Sequence, residues 1–367
     1  MKNTLSIYGS HDAGAVFIDS SGELKILEYE RFVKKRYAMY SERFDSREKD
    51  LGTNQASRES FIKYIKTQVG SEIQTILYDS LIESDIQYLK DAFPSATFKQ
   101  KGHHMSHAAS GYYTSKFDDA IIFSVDGGGV DNGMVAYTKI FHGHRDNIKL
   151  ISAPNINLGV AYGKIGGPIS EIHPGPDSTT DSLVYAGKVM GLCAYGTVKT
   201  EWVDAMKQFY LHHNLNLLGR DIGLQLHFNS LKGQHSYDLA ATSQYVFEEL
   251  LMDIIEPYIS TNNNFIMVGG CALNVLFNQR LKKKLNSLNK KLYVPSNPND
   301  CGLALGQFLL EHPTAKTSVY NGFDILDRDK LQEYIKTRSA QKVDINQIVD
   351  LIKGGNIISI NNSSNTY

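Results

Sequence analysis

Residues 120–129 read Ala-Ile-Ile-Phe-Ser-Val-Asp-Gly-Gly-Gly, an apolar run that ends in one carboxylate and three glycines. A short apolar stretch that runs into glycine predicts a buried strand over 120–125. Asp126 then lies where this strand opens into a turn made by Gly127, Gly128 and Gly129. Because glycine has no side chain, the backbone N–H groups of such a turn can approach a phosphate closely. The stretch therefore predicts an acidic, glycine-lined sheet edge.

A second stretch, residues 102–110, reads Gly-His-His-Met-Ser-His-Ala-Ala-Ser. On a helix His103 and His107 fall on one face, one turn apart, so their imidazoles can share a divalent metal. Asp126 can supply a carboxylate to the same site. His104 lies about 100° around the helix from His103. We therefore expect it either to contact the metal-ligating side chains from outside or to face an acceptor substrate. Each motif alone is a weak signal, and their combination carries the prediction.

The composition is that of an ordinary globular chain. Its 367 residues are 42% hydrophobic and 21% charged, and the formal net charge is −1. This balance lacks the basic footprint of a nucleic-acid binder. No apolar run reaches the length of a membrane span, and the N-terminus lacks a signal-peptide pattern. We therefore expect a cytoplasmic protein with neither membrane nor nucleic acid as a partner.

The order of predicted elements repeats along the chain. Three strands are followed by alternating helices and strands, and the same order restarts at residue 120. The predicted strands are 5–8, 15–18, 24–28, 75–78 and 97–99, then 120–125, 133–139, 149–153, 265–268 and 291–294. Besides the histidine helix, the predicted helices are 58–68, 85–92, 182–192, 202–212, 239–259, 272–286, 303–310 and 345–353. This α/β order resembles the duplicated ribonuclease-H-like fold of actin, Hsp70 and sugar kinases, in which nucleotide lies in a cleft between two halves.

Seven stretches, in order, resemble those of the O-carbamoyltransferases of antibiotic and nodulation-factor biosynthesis, in which a Kae1-like domain precedes a YrdC-like domain. They are residues 9–13, 28–32, 103–109, 126–129, 188–196, 268–274 and 298–306. The resemblance implies a two-step reaction. The YrdC-like domain makes carbamoyl-adenylate from carbamoyl phosphate and ATP. The Kae1-like domain then transfers the carbamoyl group to a hydroxyl of a small-molecule acceptor. We expect 1–118 and 119–343 to be the two halves of the Kae1-like domain.

The same resemblance implies roles for particular residues. The metal ligands would be His103, His107, Asp126 and Asp300. Imidazoles with carboxylates suit Fe(II), Mn(II) or Zn(II), with Fe(II) the first expectation. The two histidines would be catalytic through that metal, and Asp12 is the candidate for acceptor binding or general base. The AMP part of the substrate would be held by Gly127, Gly128, Gly129, Lys188, Gly191, Gly269, Gly270 and Asn274.

Simpler interpretations stand beside several of these assignments. Lys188 can equally be a solvated helix residue, and Asn274 can be a helix cap. The side chains of Glu28, Glu30 and Arg31 can form an internal ion pair instead of contacting a substrate.

The chain departs from the family pattern near its C-terminus. Residues 345–360 resemble the first helix and strand of a YrdC-like domain, but the glycine- and arginine-bearing motif that follows in the family is absent. We therefore expect 344–367 to be the start of a truncated YrdC-like domain or a linker. The chain would then be the transfer half and would need a YrdC-like domain in trans. Residues 173–177, His-Pro-Gly-Pro-Asp, match no family pattern and are a candidate acceptor-side loop.

Two other functions stay open at this point. One is a Kae1-type component of threonylcarbamoyladenosine formation in tRNA, and the other is a catalytically incomplete nucleotide-binding subunit. The near-neutral charge and the residues at 103–109 and 188–196 favour the carbamoyltransferase, whereas the short C-terminus favours the incomplete subunit. A zincin-type metalloprotease is disfavoured because His104, and not a glutamate, follows His103.

Overall fold

The structure is a computed structural model that describes residues 3–41, 52–69, 72–131, 133–172, 182–318, 321–322, 328–338 and 343–358. Within these residues the strands form two five-stranded mixed sheets, and helices cover both. The strand expected after the helix 345–353, at 356–360, is not formed at 356–358, and residues 359 and 360 lie outside the described residues. The loop 173–177 also lies outside them. The boundaries at 118 and 343 stay predictions.

The first sheet is built from β1 (Thr4–Tyr8), β2 (Gly14–Ile18), β3 (Leu24–Glu28), β4 (Thr75–Asp79) and β5 (Thr97–Gln100). Its strand order is β3-β2-β1-β4-β5. The first three strands form an antiparallel meander, and β4 and β5 add in parallel to β1. The predicted strands of this sheet are confirmed to within one residue.

The second sheet repeats this arrangement. Its strands are β6 (Asp119–Asp131), β7 (Met134–His144), β8 (Asn147–Ser152), β9 (Asn264–Val268) and β10 (Lys291–Tyr293), in the order β10-β9-β6-β7-β8. Again the first three strands are antiparallel, and the last two add in parallel to the first strand of the series. The two sheets therefore share strand order and strand direction, although no close sequence repeat links them.

The helices connect and cover the sheets. They are α1 (Tyr29–Val33), α2 (Gln55–Gln68), α3 (Glu83–Ala92), α4 (His103–Ser115), α5 (Leu158–Lys164), α6 (Ser182–Leu192), α7 (Val203–His212), α8 (Leu215–Ile222), α9 (Gln234–Ile259), α10 (Val275–Ser287), α11 (Leu303–Glu311), α12 (Arg328–Thr337) and α13 (Ile345–Lys353). Among the described residues, none of these helices combines the length and the apolar character needed to cross a membrane.

Two helices, α4 and α11, lie between the sheets. Apolar side chains of α11, such as Phe308, pack on Val16 and other residues of the first sheet. Ala108 and Tyr112 of α4 pack on the second sheet. The two helices also touch each other: a Cβ at Gly306 would lie 1.8 Å from the carbonyl oxygen of Ser106, so only glycine permits this approach. The N-terminal end of α4 is thereby fixed between the two sheets.

Strand β6 does not end at the glycine turn that the sequence predicted after residue 125. The pairs Val125–Thr138 and Gly129–Ala136 are four residues apart on β6 but only two apart on β7, so the extra residues form a bulge and pairing then resumes. The prediction of a strand end was wrong because glycine marks a bulge as well as a turn. Asp126 lies within this bulge, which turns it out of the regular pleat.

Four helices were not predicted: α1, α5, α8 and α12. Helix α5 contains glycine and spans only seven residues, and α8 spans eight, so neither gives a long periodic pattern. Both begin at an asparagine cap whose side chain accepts a backbone N–H: Asn157 from Val160, and Asn214 from Leu217. The helix predicted over 272–286 is divided, with a tight turn over Gly270–Leu273 before α10.

Candidate metal centre and cleft

The first turns of α4 present two histidines to the interior of the molecule. His103 is 2% exposed and His107 is 1% exposed, and their ring centroids lie 4.8 Å apart. Their spacing of one helical turn puts both on the same face, as the sequence predicted. Gly129 lies directly behind the ring of His103: a Cβ there would come within 2.1 Å of His103 Cδ2. The glycine run therefore makes room for a histidine.

Asp126 and Asp300 join the two histidines. Each of the four residues offers a ligand atom, and these atoms all lie within 4.8 Å of one another in a fully buried group. His107 Nε2 lies 3.3 Å from both Asp126 Oδ2 and Asp300 Oδ1. Asp126 comes from the β6 bulge, and Asp300 begins the tight turn that leads into α11. The structure thus brings together the four side chains that the resemblance implied, and their role as ligands stays a prediction.

The donor set fits a divalent transition metal. Within the part of the chain that the structure describes, His103 Nε2 and His107 Nε2 are buried and make no hydrogen bond, although carboxylate oxygens lie 3.7 Å and 3.3 Å from them. A buried polar atom that lacks a partner is costly, and a metal ion would satisfy both nitrogens at once. Two imidazoles and two carboxylates match the preferences of Fe(II), Mn(II) and Zn(II). The arrangement can therefore hold a metal, without specifying which one.

Backbone groups hold the Asp126 carboxylate in place. The N–H of Gly127 donates to Oδ1 at 2.6 Å, that of Gly128 to the same oxygen at 3.3 Å, and that of Gly270 to Oδ2 at 2.6 Å. Although burial opposes ionisation, His107 and these donors hold the pKa of Asp126 well below its usual range. In turn, and against the effect of its own burial, Asp126 and Asp300 raise the pKa of His107 to about 9. The glycine N–H groups thus bind a carboxylate of the protein itself.

Three further residues touch this group, and sequence reasoning did not assign them. Tyr8 Oη donates to Asp300 Oδ2, and its ring meets the ring of His103 edge to face. Asp79 Oδ2 lies 3.4 Å from His103 Nδ1. Tyr8 and Asp79 are the last residues of β1 and β4, two neighbouring parallel strands. Their position was the available signal, because ligand sites in open α/β sheets gather at the carboxyl ends of strands.

The third of these residues is His11, which connects the group to Asp12. His11 Nδ1 lies 3.1 Å from Asp12 Oδ2, and Nε2 lies 3.6 Å from Asp300 Oδ2. Burial alone would lower its pKa, but the carboxylates of Asp300 and Asp12 raise the pKa of His11 to about 10. Asp12 has a φ of 59°, in the left-handed region that residues with side chains rarely adopt. The signal for His11 was its place beside Asp12 in the stretch 9–13.

His104 has a structural role. It donates through Nε2 to the carbonyl of Ala136 at 3.0 Å, so Nδ1, 2.8 Å from Ser124 Oγ, accepts the serine proton. Burial is the main cause that lowers the pKa of His104 to about 4, and the imidazole is therefore neutral. Both ring nitrogens of His104 are hydrogen-bonded within the protein, so neither is left to contact an acceptor substrate or a metal.

Two of the four candidate ligands, Asp126 and Asp300, line a cleft of about 540 Å³. The polar residues Asp12 and Asn299 also line it, as do apolar side chains such as Val160 and Met190. Four of the residues predicted to hold nucleotide also line it: Gly127, Gly128, Gly270 and Asn274. Candidate metal ligands, polar residues and apolar residues therefore line one cavity.

The other residues predicted to hold nucleotide lie elsewhere. Lys188 donates to the carbonyl of Ile172 at 3.1 Å. Gly269, with a φ of 89°, packs against the backbone of Val125, and Gly191 lies within α6 with open space around it. Gly129 backs His103, as described above.

The simpler interpretations also have answers. Asn274 caps α10 by accepting the N–H of Phe277 at 3.0 Å, and it exchanges two hydrogen bonds with Gln244, so it is a cap that also faces the cleft. Arg31 pairs with Glu28 at 3.1 Å and with Glu30 at 3.4 Å, so the expected internal ion pair is present.

A match to a known family agrees with this site. Residues 57–309, more than half of the chain, match the family described as "Carbamoyltransferase N-terminus". The chain therefore belongs to the carbamoyltransferase family, through the N-terminal domain of that family.

Similar proteins are longer than this chain. Nodulation protein U of Sinorhizobium fredii is 25% identical over 240 residues, which cover 57% of this chain and 41% of that protein. Nodulation protein NolNO of the same species is 26% identical over 231 residues, or 57% of this chain and 30% of that protein. An uncharacterised protein of Methanocaldococcus jannaschii is 26% identical over 255 residues, or 64% of this chain and 46% of that protein. The chain spans less than half the length of these curated relatives.

A solved structure shares the fold. The crystal structure of full-length HypF in its phosphate- and nucleotide-bound form aligns with a TM-score of 0.50 at 13% sequence identity, over 86% of this chain and 47% of HypF. At this identity the likeness concerns the fold alone.

Proposed function

We propose that this chain transfers a carbamoyl group from carbamoyl-adenylate to a hydroxyl of a small-molecule acceptor, with a metal held by His103, His107, Asp126 and Asp300. The observation that carries the proposal is the buried four-residue group, whose Asp126 and Asp300 line a cleft that Asp12 also lines. Membership of the carbamoyltransferase family supports the group that is transferred.

The fold part of the proposal is that the two sheets are the halves of a duplicated ribonuclease-H-like domain, 1–118 and 119–343. Their identical strand order and direction support it. In that fold the cleft between the halves takes nucleotide, so we assign the AMP part of the substrate to the wall formed by Gly127, Gly128, Gly270 and Asn274. Their place on the cleft supports this assignment.

When bound, a divalent metal would polarise the carbamoyl carbonyl as a Lewis acid. The chain's own residues then have two tasks. The wall around Gly270 orients the adenylate, so that AMP can leave as the acceptor oxygen bonds to the carbamoyl carbon. Asp12 accepts the proton of the attacking hydroxyl, and His11 and Asn299, whose nitrogens lie 3.1 Å and 3.4 Å from Asp12 Oδ2, hold that carboxylate in position. The left-handed backbone of Asp12 is the kind of local strain that gathers at functional sites.

The proposal makes this chain the transfer half of a cytoplasmic enzyme. Forming carbamoyl-adenylate from ATP and carbamoyl phosphate would fall to a YrdC-like domain, covalently linked or in trans. The group formed by His103, His107, Asp126 and Asp300 consists of two imidazoles and two carboxylates. Among the described residues that line the cavity, Arg36 is the one arginine or lysine. That supports transfer more than phosphate activation.

The test supplies the metal-loaded chain with ATP, labelled carbamoyl phosphate and a YrdC-like domain, and follows label transfer to a panel of polyhydroxy acceptors. We expect transfer with the wild-type chain and at least a hundredfold loss with Asp12→Asn. We expect no release of pyrophosphate from the chain alone; robust release would show that it makes its own adenylate. Transfer of label to tRNA and to none of the small molecules would favour a tRNA-modifying component instead.

A further inference from the structure

A second group of possible metal ligands lies at the other end of β6. Asp119 begins β6, and His142 and His144 are near the end of the antiparallel strand β7. Residues two apart on a strand point to the same face, so both imidazoles project together. Asp119 is the cross-strand partner of His144, which brings the carboxylate to that face as well. The strand geometry therefore places the three side chains together on one face of the sheet.

The ligand atoms are close enough for one ion. His142 Nε2 lies 3.3 Å from Asp119 Oδ1, His144 Nδ1 lies 2.8 Å from Oδ2, and ligand atoms of all three residues lie within 4.8 Å of one another. Tetrahedral zinc with bonds near 2.1 Å keeps its ligand atoms roughly 3.4 Å apart. The three side chains are between 39% and 55% exposed, so an ion can reach them and water can complete the coordination.

Two neighbouring side chains hold Asp119 in position. Asn262 donates to Asp119 Oδ1, and Asn264 donates to the carbonyl of Asp119 at 2.8 Å. Lys149, the cross-strand neighbour of His142 on β8, is exposed and is the cation nearest in the strand register. A flexible lysine can move into solvent, whereas Asn262 holds the Asp119 carboxylate and Asn264 holds the backbone carbonyl of the same residue.

We propose that Asp119, His142 and His144 form a binding site for Zn²⁺ or a similar borderline transition metal, separate from the cleft. Two imidazoles and one carboxylate are a donor set that suits these ions, and three protein ligands leave one position open. Seven residues of β6 separate Asp119 from Asp126, or roughly 23 Å at about 3.3 Å per residue. The bound ion would link β6 and β7, and it would take no part in carbamoyl transfer.

Zn²⁺ titration of the full chain against a colorimetric chelator tests the site. We expect two equivalents to bind to the wild-type chain. His144→Ala and His142→Gln should each lose one equivalent, or weaken it at least tenfold, while His107→Ala loses the other. His227→Ala, which removes an exposed histidine outside both groups, should keep two.

The outcomes separate the two sites. If the cleft binds no metal, the wild-type chain binds one equivalent, and that one should still disappear in His144→Ala. Unchanged stoichiometry and affinity in both His144→Ala and His142→Gln, with unaltered thermal denaturation in the absence of metal, would overturn the proposal. Because both residues are substantially exposed, we expect the variants to fold normally.

Discussion

The hydroxyl of Tyr8 gives the sharpest test of the cleft site, because one oxygen atom can be removed without disturbing the packing. Tyr8 is 2% exposed, and its ring lies 6.1 Å from the ring of His103 at an interplanar angle of 62°. Its Oη donates to Asp300 Oδ2, so Asp300 Oδ1 is the oxygen that faces His103 and His107. Burial, with the nearby carboxylates of Asp300 and Asp79, holds the pKa of Tyr8 well above its usual value, so it remains a donor. The variant Tyr8→Phe keeps the ring and loses the hydrogen bond.

The size of the effect follows from the charge on the acceptor. A hydrogen bond to a charged group contributes about 1.5–3 kcal/mol, and about 1.4 kcal/mol is a factor of ten in a binding constant. Without Tyr8 Oη, the Asp300 carboxylate is free to rotate away from the two imidazoles. Groups that orient metal ligands in this way are typically worth 10- to 100-fold in metal affinity. We therefore expect Tyr8→Phe to bind metal about 10- to 100-fold more weakly.

The assay is chelator competition with Fe(II) or Zn²⁺, done in the His144→Ala background so that the exposed site does not contribute. Tyr210→Phe is the matched control. Its phenol is equally buried, at 1% exposure, and lies 2.8 Å from Ser243 Oγ in a different part of the core. We expect this control to lose about 1 kcal/mol of unfolding free energy and no metal affinity. Equal metal affinity in Tyr8→Phe and the parent would refute the reasoning.

Three further predictions concern the same region. Gly129→Ala should displace His103, because the new Cβ would lie 2.1 Å from its ring, and the metal content of the protein should therefore fall. The control Gly133→Ala, at a hairpin tip, should keep its metal content. Equal loss of metal in both variants would contradict the prediction. Gly270→Leu should abolish calorimetric binding of AMP by filling the cleft beside Asp126, and unchanged affinity would remove the glycine from the nucleotide site. Burial, partly opposed by Arg31, raises the pKa of Glu28 to about 7. The folded state therefore binds the proton more tightly than the unfolded state, and stability should fall as pH rises from about 4.5 to 7, by on the order of 3 kcal/mol. Urea unfolding should show this slope flattened in Glu28→Gln, and an unchanged slope would contradict the assignment.

The sequence predicted most of the fold because its strands are short apolar runs bounded by glycine and polar residues, and because α4 carries its histidines at helical spacing. It did not predict that β6 continues past Asp126, since the same glycines are compatible with a turn and with a bulge. The helices α5 and α8 were missed because each spans too few residues for a periodic pattern to appear.

Some residues of the candidate site could likewise be predicted from the sequence, and others could not. His103, His107 and Asp126 could be proposed from local spacing, and Asp300 from the family resemblance. Tyr8 and Asp79 could not be assigned, because each is an ordinary strand end until β1 and β4 are known to be parallel neighbours. The exposed group at Asp119 was missed for a related reason. His142 and His144 are close in sequence, but their carboxylate comes from another strand, and only the register reveals it.

The positions of the candidate ligands along the chain also decide when the cleft site can exist. Roughly 200 residues separate His103 from Asp300, and closing so long a stretch carries an entropic cost that early contacts do not repay. Asp300 follows β10, which must first pair in parallel with β9, as β9 must with β6, and non-local parallel pairings form slowly. We therefore expect the complete set of four to come together late in folding, so that an ion at the proposed site would not nucleate this domain as it does in small zinc-dependent modules. If the proposed metal is bound at these four residues, a cell short of it should accumulate folded protein without metal, and not unfolded chains.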